Sequence, residues 1–263
     1  MKFKKTTLAA SCALAVITIS GCSSMHNKQV MSPNNDSNTS VHKPIIVKMN
    51  DNMSYITGYQ AGKNISLQGM DLSPSSTISG FQDALTGKTP KLSDIQIKNN
   101  IEDLKEKMIQ KRLDSIKINK ADSEEFLSKI AMIDNIVKVN DQVYYQIITQ
   151  GNGANPSLDS TITLSYNGTT PAESYKKDNT KIKDIEDGKL IGNSFDSSDN
   201  ASFLLKNLIE CWKDAIPQIQ TGSTIILYCS PDVAYGTKSP SPLIGPNQLL
   251  SFKITLKSFK PRF

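Results

Sequence analysis

The side chains able to do chemistry are few and unevenly placed. His26 and His42 are the only histidines, and both lie near the N-terminus, which removes histidine triads and histidine metal sites from the rest of the chain. Gly151-x-Gly153 lacks a third glycine, a Lys-Ser/Thr pair and a following helical pattern, so a hairpin turn is expected there rather than a phosphate loop. No metal and no cofactor is implied. What remains is largely aromatic and apolar, the tyrosines, phenylalanines and single tryptophan of the chain, with carboxylates between them. Taken singly, such aromatics are ordinarily core. Gathered round a cavity, they would make a dry apolar pocket.

The elements that must carry them begin after residue 49. Lys2, Lys4 and Lys5 precede an apolar run from Leu8 to Ile19, too short to cross a bilayer as a helix, which ends in Ile19-Ser20-Gly21-Cys22. Residues 1–21 therefore read as a lipoprotein signal peptide with Cys22 as the lipidated residue, and the membrane is reached through that anchor. Ser23 after the cysteine points to the outer membrane, with the protein facing the periplasm or the cell surface. Three of the charges behind the formal +5 leave with the signal, so the remainder is nearly neutral, which argues against nucleic acid. Residues 22–49 are rich in Ser, Asn, Lys and Pro and read as a disordered tether.

From 50 to 139 the apolar period is helical. Ser93 with Gln96 has capping-box form and opens a long run with Ile97, Ile101, Leu104, Met108, Leu113 and Ile116 on a thin apolar face. Such a helix is expected to be a solvent-surrounded connector or one partner of an intermolecular packing. From 140 to 263 the period becomes two, at Val143–Ile148, Ile162–Tyr166, Thr224–Cys229 and Leu250–Leu256, with a short helix over Leu208–Ile216 stopped by Pro217. The fold class is α+β: an all-helical N-terminal segment and long connecting helix, then an antiparallel sheet wrapped on a short helix. Cys211 and Cys229 could pair in an oxidising compartment, but two free buried thiols are the expectation.

Five motifs in order carry a resemblance. Tyr166-Asn167-Gly168, Phe195-Asp196-Ser197-Ser198, Leu208-Ile209-x-x-Trp212, Pro231-Asp232-x-Ala234-Tyr235-Gly236 and Ile244-Gly245-Pro246-Asn247 before Phe252 are similar to those of FKBP-type peptidyl-prolyl cis-trans isomerases. Ser54-Tyr55 with Gly58, Gly69-Met70-Asp71 and Gln82-Asp83-Ala84-Leu85 resemble the dimerisation segment of the macrophage infectivity potentiator type. The resemblance implies that Trp212 floors a proline pocket walled by Tyr166, Phe195, Phe203, Leu208, Ile209, Ile244 and Phe252. It implies further that the Ile209 N–H and the Tyr235 hydroxyl hold substrate carbonyls, with Asp196 beside the rotating one. The partners it implies are proline-containing polypeptides, a second copy of the chain through the N-terminal helices, and rapamycin- or tacrolimus-type ligands. The function expected is X–Pro isomerisation assisting the folding of envelope or secreted proteins. The alternative is a holdase chaperone or surface interaction lipoprotein with a weakened site. Three features motivate that alternative: the charged stretch between Gly168 and Phe195, expected as a solvated loop able to lean over the pocket, Ala201 in place of an aromatic wall, and the solvent-rimmed long helix; Cys211 also departs from the family, where glycine is usual.

Overall fold

The computed structural model describes residues 47–178 and 180–261. The expected signal peptide with Cys22, and the tether up to residue 46, lie outside these. Helix α1 (Asp51–Leu67) starts at Asn50, whose side chain accepts from the Met53 N–H at 2.8 Å, satisfying one of the free amides of the first turn. Gly69 follows α1 with φ +63°, the left-handed conformation that commonly ends a helix. Helix α2 (Pro74–Leu85) has Ser73 as its cap and proline in the first turn. No residue of either helix is buried. Helix α3 (Asp94–Ile130) runs for 37 residues from the expected capping box: the Gln96 N–H donates to Ser93 Oγ, and the Ser93 N–H donates to Gln96 Oε1 at 3.0 Å.

The sheet is antiparallel and six-stranded in the order β1-β2-β5-β6-β3-β4, with β1 Ile136–Asn140, β2 Val143–Thr149, β3 Thr161–Thr170, β4 Asn193–Leu204, β5 Thr224–Cys229 and β6 Leu250–Lys260. This is the mixed architecture expected, helices first and a sheet second. The helical period gives way earlier than residue 139, because α3 ends at Ile130 and Ile136–Asn140 pairs with β2. The Gly151–Gly153 segment is not a hairpin, since β2 pairs with β1 and β5 while β3 pairs with β4 and β6. The glycines are needed there for close approach: a Cβ on Gly153 would stand 2.8 Å from Thr221 Cβ, and the Gly153 N–H donates to the Thr221 carbonyl at 3.1 Å.

Successive residues of β2 and β5 serve two separate cores. Val143, Tyr145, Ile225, Leu227 and Cys229 face the main core with Trp212, Ile216, Leu250 and Phe252. Tyr144, Ile226 and Tyr228 face a second core with Phe126 and Ile130 of α3. The end of α3 is therefore a packed element, not a free connector. Its partner is the segment expected to be a solvated loop. That segment forms α4 (Pro171–Lys177) and α5 (Lys181–Glu186), and Ala172, Ile185 and Ile191 are buried in the second core. The charges the sequence shows there are the outer face of an amphipathic cover. Phe126 meets Tyr175 edge-on at 5.6 Å between centroids, and Asp122 pairs with Lys176. The insertion thus covers the sheet face opposite the Trp212 core and does not lean over the aromatic residues.

The cysteines also depart from expectation. Helix α6 (Glu210–Ala215) lies across the main core so that Cys211 and Cys229 stand 5.6 Å apart at Cα and form a disulfide closing 18 residues. Both are fully buried, and the bond ties the helix carrying Trp212 to the end of β5. A loop of this length is stabilised by about 3 kcal/mol through restriction of the unfolded chain. Reduction under denaturant, or Cys211→Ser with Cys229→Ser, is expected to lower unfolding free energy by about that amount, read from the urea midpoint.

Candidate functional site

Trp212 is set on α6 with 5 % of its surface exposed, and three rings stand edge-on to it: Phe252 at 5.2 Å, Tyr166 at 5.7 Å and Phe203 at 6.5 Å. Each interplanar angle lies between 79° and 86°, the arrangement that places a positive ring edge on a negative ring face. The rings come from three neighbouring strands. Tyr166 on β3 is opposite Ile254 on β6 and Ser198 on β4. Two residues along, Gly168 is opposite both Phe252 and Asp196. A Cβ at Gly168 would stand 2.6 Å from Phe195 Cζ and 2.9 Å from Phe252 Cε1, so only glycine lets those rings meet, 5.8 Å apart and at 89°.

Leu208 and Ile209 are half-buried against this cluster, and Ile244 is buried within it. Ile209 precedes α6 in extended conformation, its carbonyl accepting from the Trp212 N–H at 3.0 Å. Two polar groups, Asp196 and Tyr235, stand at the exposed edge. The Tyr166 hydroxyl donates to Asp196 Oδ2 at 2.5 Å, a short charge-assisted bond. Burial, then that bond and the Asp196 charge, then Tyr235, push the Tyr166 phenol well above its ordinary value. Burial first and Asp196 second raise that of Tyr235, which is 37 % exposed. The structure therefore brings together all ten residues singled out by sequence: eight apolar or aromatic side chains packed in one cluster, Asp196 bonded to the Tyr166 hydroxyl, and Tyr235 close enough to act on it electrostatically.

Two residues that escaped sequence reasoning reach the site's border from α3. Ser123 and Asn119 bond the backbone of the segment between Tyr235 and β6. Their one sequence signal is spacing, since Asn119, Ser123, Phe126 and Ile130 share a face of α3. Among the described residues, no group of three or more His, Cys, Asp or Glu is placed to hold a metal.

Aromatic rings packed edge-on round Trp212, with a hydroxyl–carboxylate pair at the exposed edge, are the chemistry gathered here. Residues 50–147 match the domain amino-terminal to FKBP-type peptidyl-prolyl isomerase, and residues 153–257 match FKBP-type peptidyl-prolyl cis-trans isomerase. The chain belongs to this family and is an isomerase of the FKBP type. It is 31 % identical over 214 residues to outer membrane protein MIP of Legionella longbeachae, covering 80 % of this chain and 85 % of that one. It is 28 % identical over 197 residues to FkpA of Escherichia coli K12, covering 73 % and 67 %. The crystal structure of FkpA from Escherichia coli superposes with a TM-score of 0.51 over 81 % of this chain and 98 % of that chain. These likenesses favour the isomerase over the holdase alternative.

Tyr145, Tyr166, Tyr228 and Tyr235 are all held protonated above the ordinary 10.0, with burial the first cause in each. Their raised folded-state pKa means the unfolded chain loses its phenolic protons first. This contribution to stability is complete below about pH 10 and lost as pH rises further. The urea midpoint is expected to fall steeply above about pH 10, with tyrosinate absorbance from these four rings appearing together with unfolding.

Proposed function

We propose that Trp212 is the floor on which a substrate proline ring rests and that this pocket rotates the X–Pro bond without covalent chemistry. The observation that carries the reading is the triple edge-on packing of Phe252, Tyr166 and Phe203 on Trp212 beside the Tyr166–Asp196 bond. Rotation of an amide destroys its resonance, which is why the uncatalysed step takes tens of seconds or more. The twisted amide has less charge separation than either planar isomer, so a dry aromatic site favours it. A thousandfold gain requires about 4 kcal/mol of such preference.

In this reading Phe195, Phe203, Leu208, Ile244 and Phe252 wall the ring, and Tyr166 both walls it and orients Asp196. The Ile209 N–H and the Tyr235 hydroxyl hold the carbonyls flanking proline. Asp196 lies beside the carbonyl that turns. The Tyr166 bond supports this assignment, because it fixes one carboxylate oxygen and leaves the other to act. Macrolides of the rapamycin and tacrolimus kind would occupy the same pocket. Residues 140–263 are the isomerase domain in this proposal and residues 50–139 the dimerising part.

A homodimer is supported by apolar side chains that α1 and α2 leave exposed, Tyr55 at 72 % and Leu85 at 84 %. Residues 1–21 are proposed as a signal peptide, residues 22–49 as a tether and Cys22 as a lipid anchor in the bacterial outer membrane, with envelope or secreted polypeptides as clients. The Legionella relative's name as an outer membrane protein supports an envelope location.

Isomerisation of an Ala-X-Pro peptide, followed by NMR exchange, tests the mechanism. Trp212→Leu and Asp196→Ala are each expected to lower kcat/KM by about tenfold or more. Wild-type rates in both variants would remove it. Light scattering on residues 50–263 is expected to give twice the chain mass at micromolar concentration, and a monomeric mass would rule out assembly through the N-terminal helices.

A further inference from the structure

Resting on the isomerase reading, a further role belongs to α3. The segment between Tyr235 and Leu249 carries one rim residue, Tyr235, and one wall residue, Ile244. Its two ends are closed on each other by the Asn247 N–H donating to the Gly236 carbonyl at 2.7 Å. Asn247 itself adopts φ 54°, a left-handed conformation that asparagine tolerates better than most residues and that gains support from its contacts.

That support comes from one face of α3, more than a hundred residues earlier. Ser123 Oγ donates to the Asn247 carbonyl at 3.0 Å and accepts from the Leu249 N–H at 2.9 Å. Asn119 Nδ2 donates to the Pro246 carbonyl at 2.8 Å. Asn247 Nδ2 donates to the Ile116 carbonyl at 3.4 Å, and the Arg112 guanidinium donates to the Thr237 carbonyl at 2.8 Å. A Cβ added at Gly245 would stand 2.8 Å from Asn119 Nδ2, so the loop backbone lies directly on the helix.

Arg112, Ile116, Asn119 and Ser123 follow each other at spacings of four, three and four residues and form one stripe. Phe126 and Ile130 continue the same stripe into the second core. The apolar end anchors the helix and the polar end grips the loop. Cavities of about 240 Å³ and 260 Å³ flank this grip, both lined by Ser123. Hydrogen bonds therefore hold this part of the seam, rather than close packing.

We propose that Asn119 and Ser123 are positioning residues for the isomerase site: docked α3 fixes the 236–249 loop, and through it Tyr235 and Ile244, in the arrangement that accepts a peptide. A loop that leaves this arrangement part of the time binds substrate with an affinity reduced by the competent fraction, whereas the chemistry on the Trp212 floor is unchanged. The signature is a raised KM with kcat preserved.

The test uses the full chain and measures kcat and KM separately by NMR exchange, with amide hydrogen exchange at Gly236 and Asn247 as a second readout. Asn119→Ala and Ser123→Ala are each expected to raise KM by about fivefold, and the double variant by more than about tenfold, with kcat within about twofold and faster loop exchange. Ser123→Thr keeps the hydroxyl, has the flanking cavities to take its methyl, and is expected to restore KM. Asp114→Ala, on the opposite face of α3, is expected to change nothing. Unchanged KM and loop exchange in both single variants, against an active wild type, would overturn the inference. So would a KM rise accompanied by altered Trp212 fluorescence, or one that Ser123→Thr does not restore, because the loss would then be general rather than transmitted through the loop. Absence of turnover in the wild type would instead strike at the isomerase reading, with loop exchange in the Asn119 and Ser123 variants still reporting whether α3 holds the loop.

Discussion

Strand β5 is covered on both faces, and the rest of the molecule is arranged by that constraint. Ile225, Leu227 and Cys229 belong to the core under Trp212, whereas Ile226 and Tyr228 belong to the core under α3. A strand with period-two alternation can leave one face wet, but five consecutive buried residues cannot. Two covers are therefore required. One is α6 with its disulfide, which sets the aromatic floor. The other is the end of α3 with the α4–α5 insertion. The site and the long helix are opposite consequences of one buried strand.

In the proposed reading, the aromatic cluster lets binding replace reactive groups. The side chains around Trp212 offer ring edges and aliphatic surface, with the Tyr166 hydroxyl and the Asp196 carboxylate at the exposed edge. Burial and the Asp196 partner raise the Tyr166 phenol well above its ordinary value, so its hydroxyl stays a donor.

Much of the site was legible because it depends on local motif context. Phe195 beside Asp196, and Trp212 three residues after Ile209, are short-range patterns whose side-chain directions follow from strand pairing and a helical turn. Element types were legible for the same reason, down to the Ser93 capping box. What escaped depended on distant partners. The cysteine pair needs α6 laid across β5 before its Cα atoms come within reach. The stretch 169–194 shows many charges, and its few apolar residues, Ile185 and Ile191 among them, declare an inner face only once Phe126 is opposite. Gly151 and Gly153 look like turn residues, yet the chain passing at Thr221 is what requires them.

The insertion changes how the N-terminal half relates to the site. A thin apolar face on α3 suggested a helix without an intramolecular partner, and over much of its length that is how it stands, with Ile95, Ile109 and Leu113 exposed. Near its end the stripe meets an added cover, and Asp122–Lys176, Phe126–Tyr175 and the buried Ile185 join helix and insertion into one layer. The surface ion pair contributes little by itself. The ring contact and the buried aliphatic surface contribute most of the stability of this layer. Because that layer also holds the helix against Pro246 and Asn247, the departure at 169–194 acts on the opposite sheet face from the pocket and yet bears on the pocket's geometry. The charged stretch that looked like an obstacle to substrate is, physically, part of what steadies the loop that would receive it.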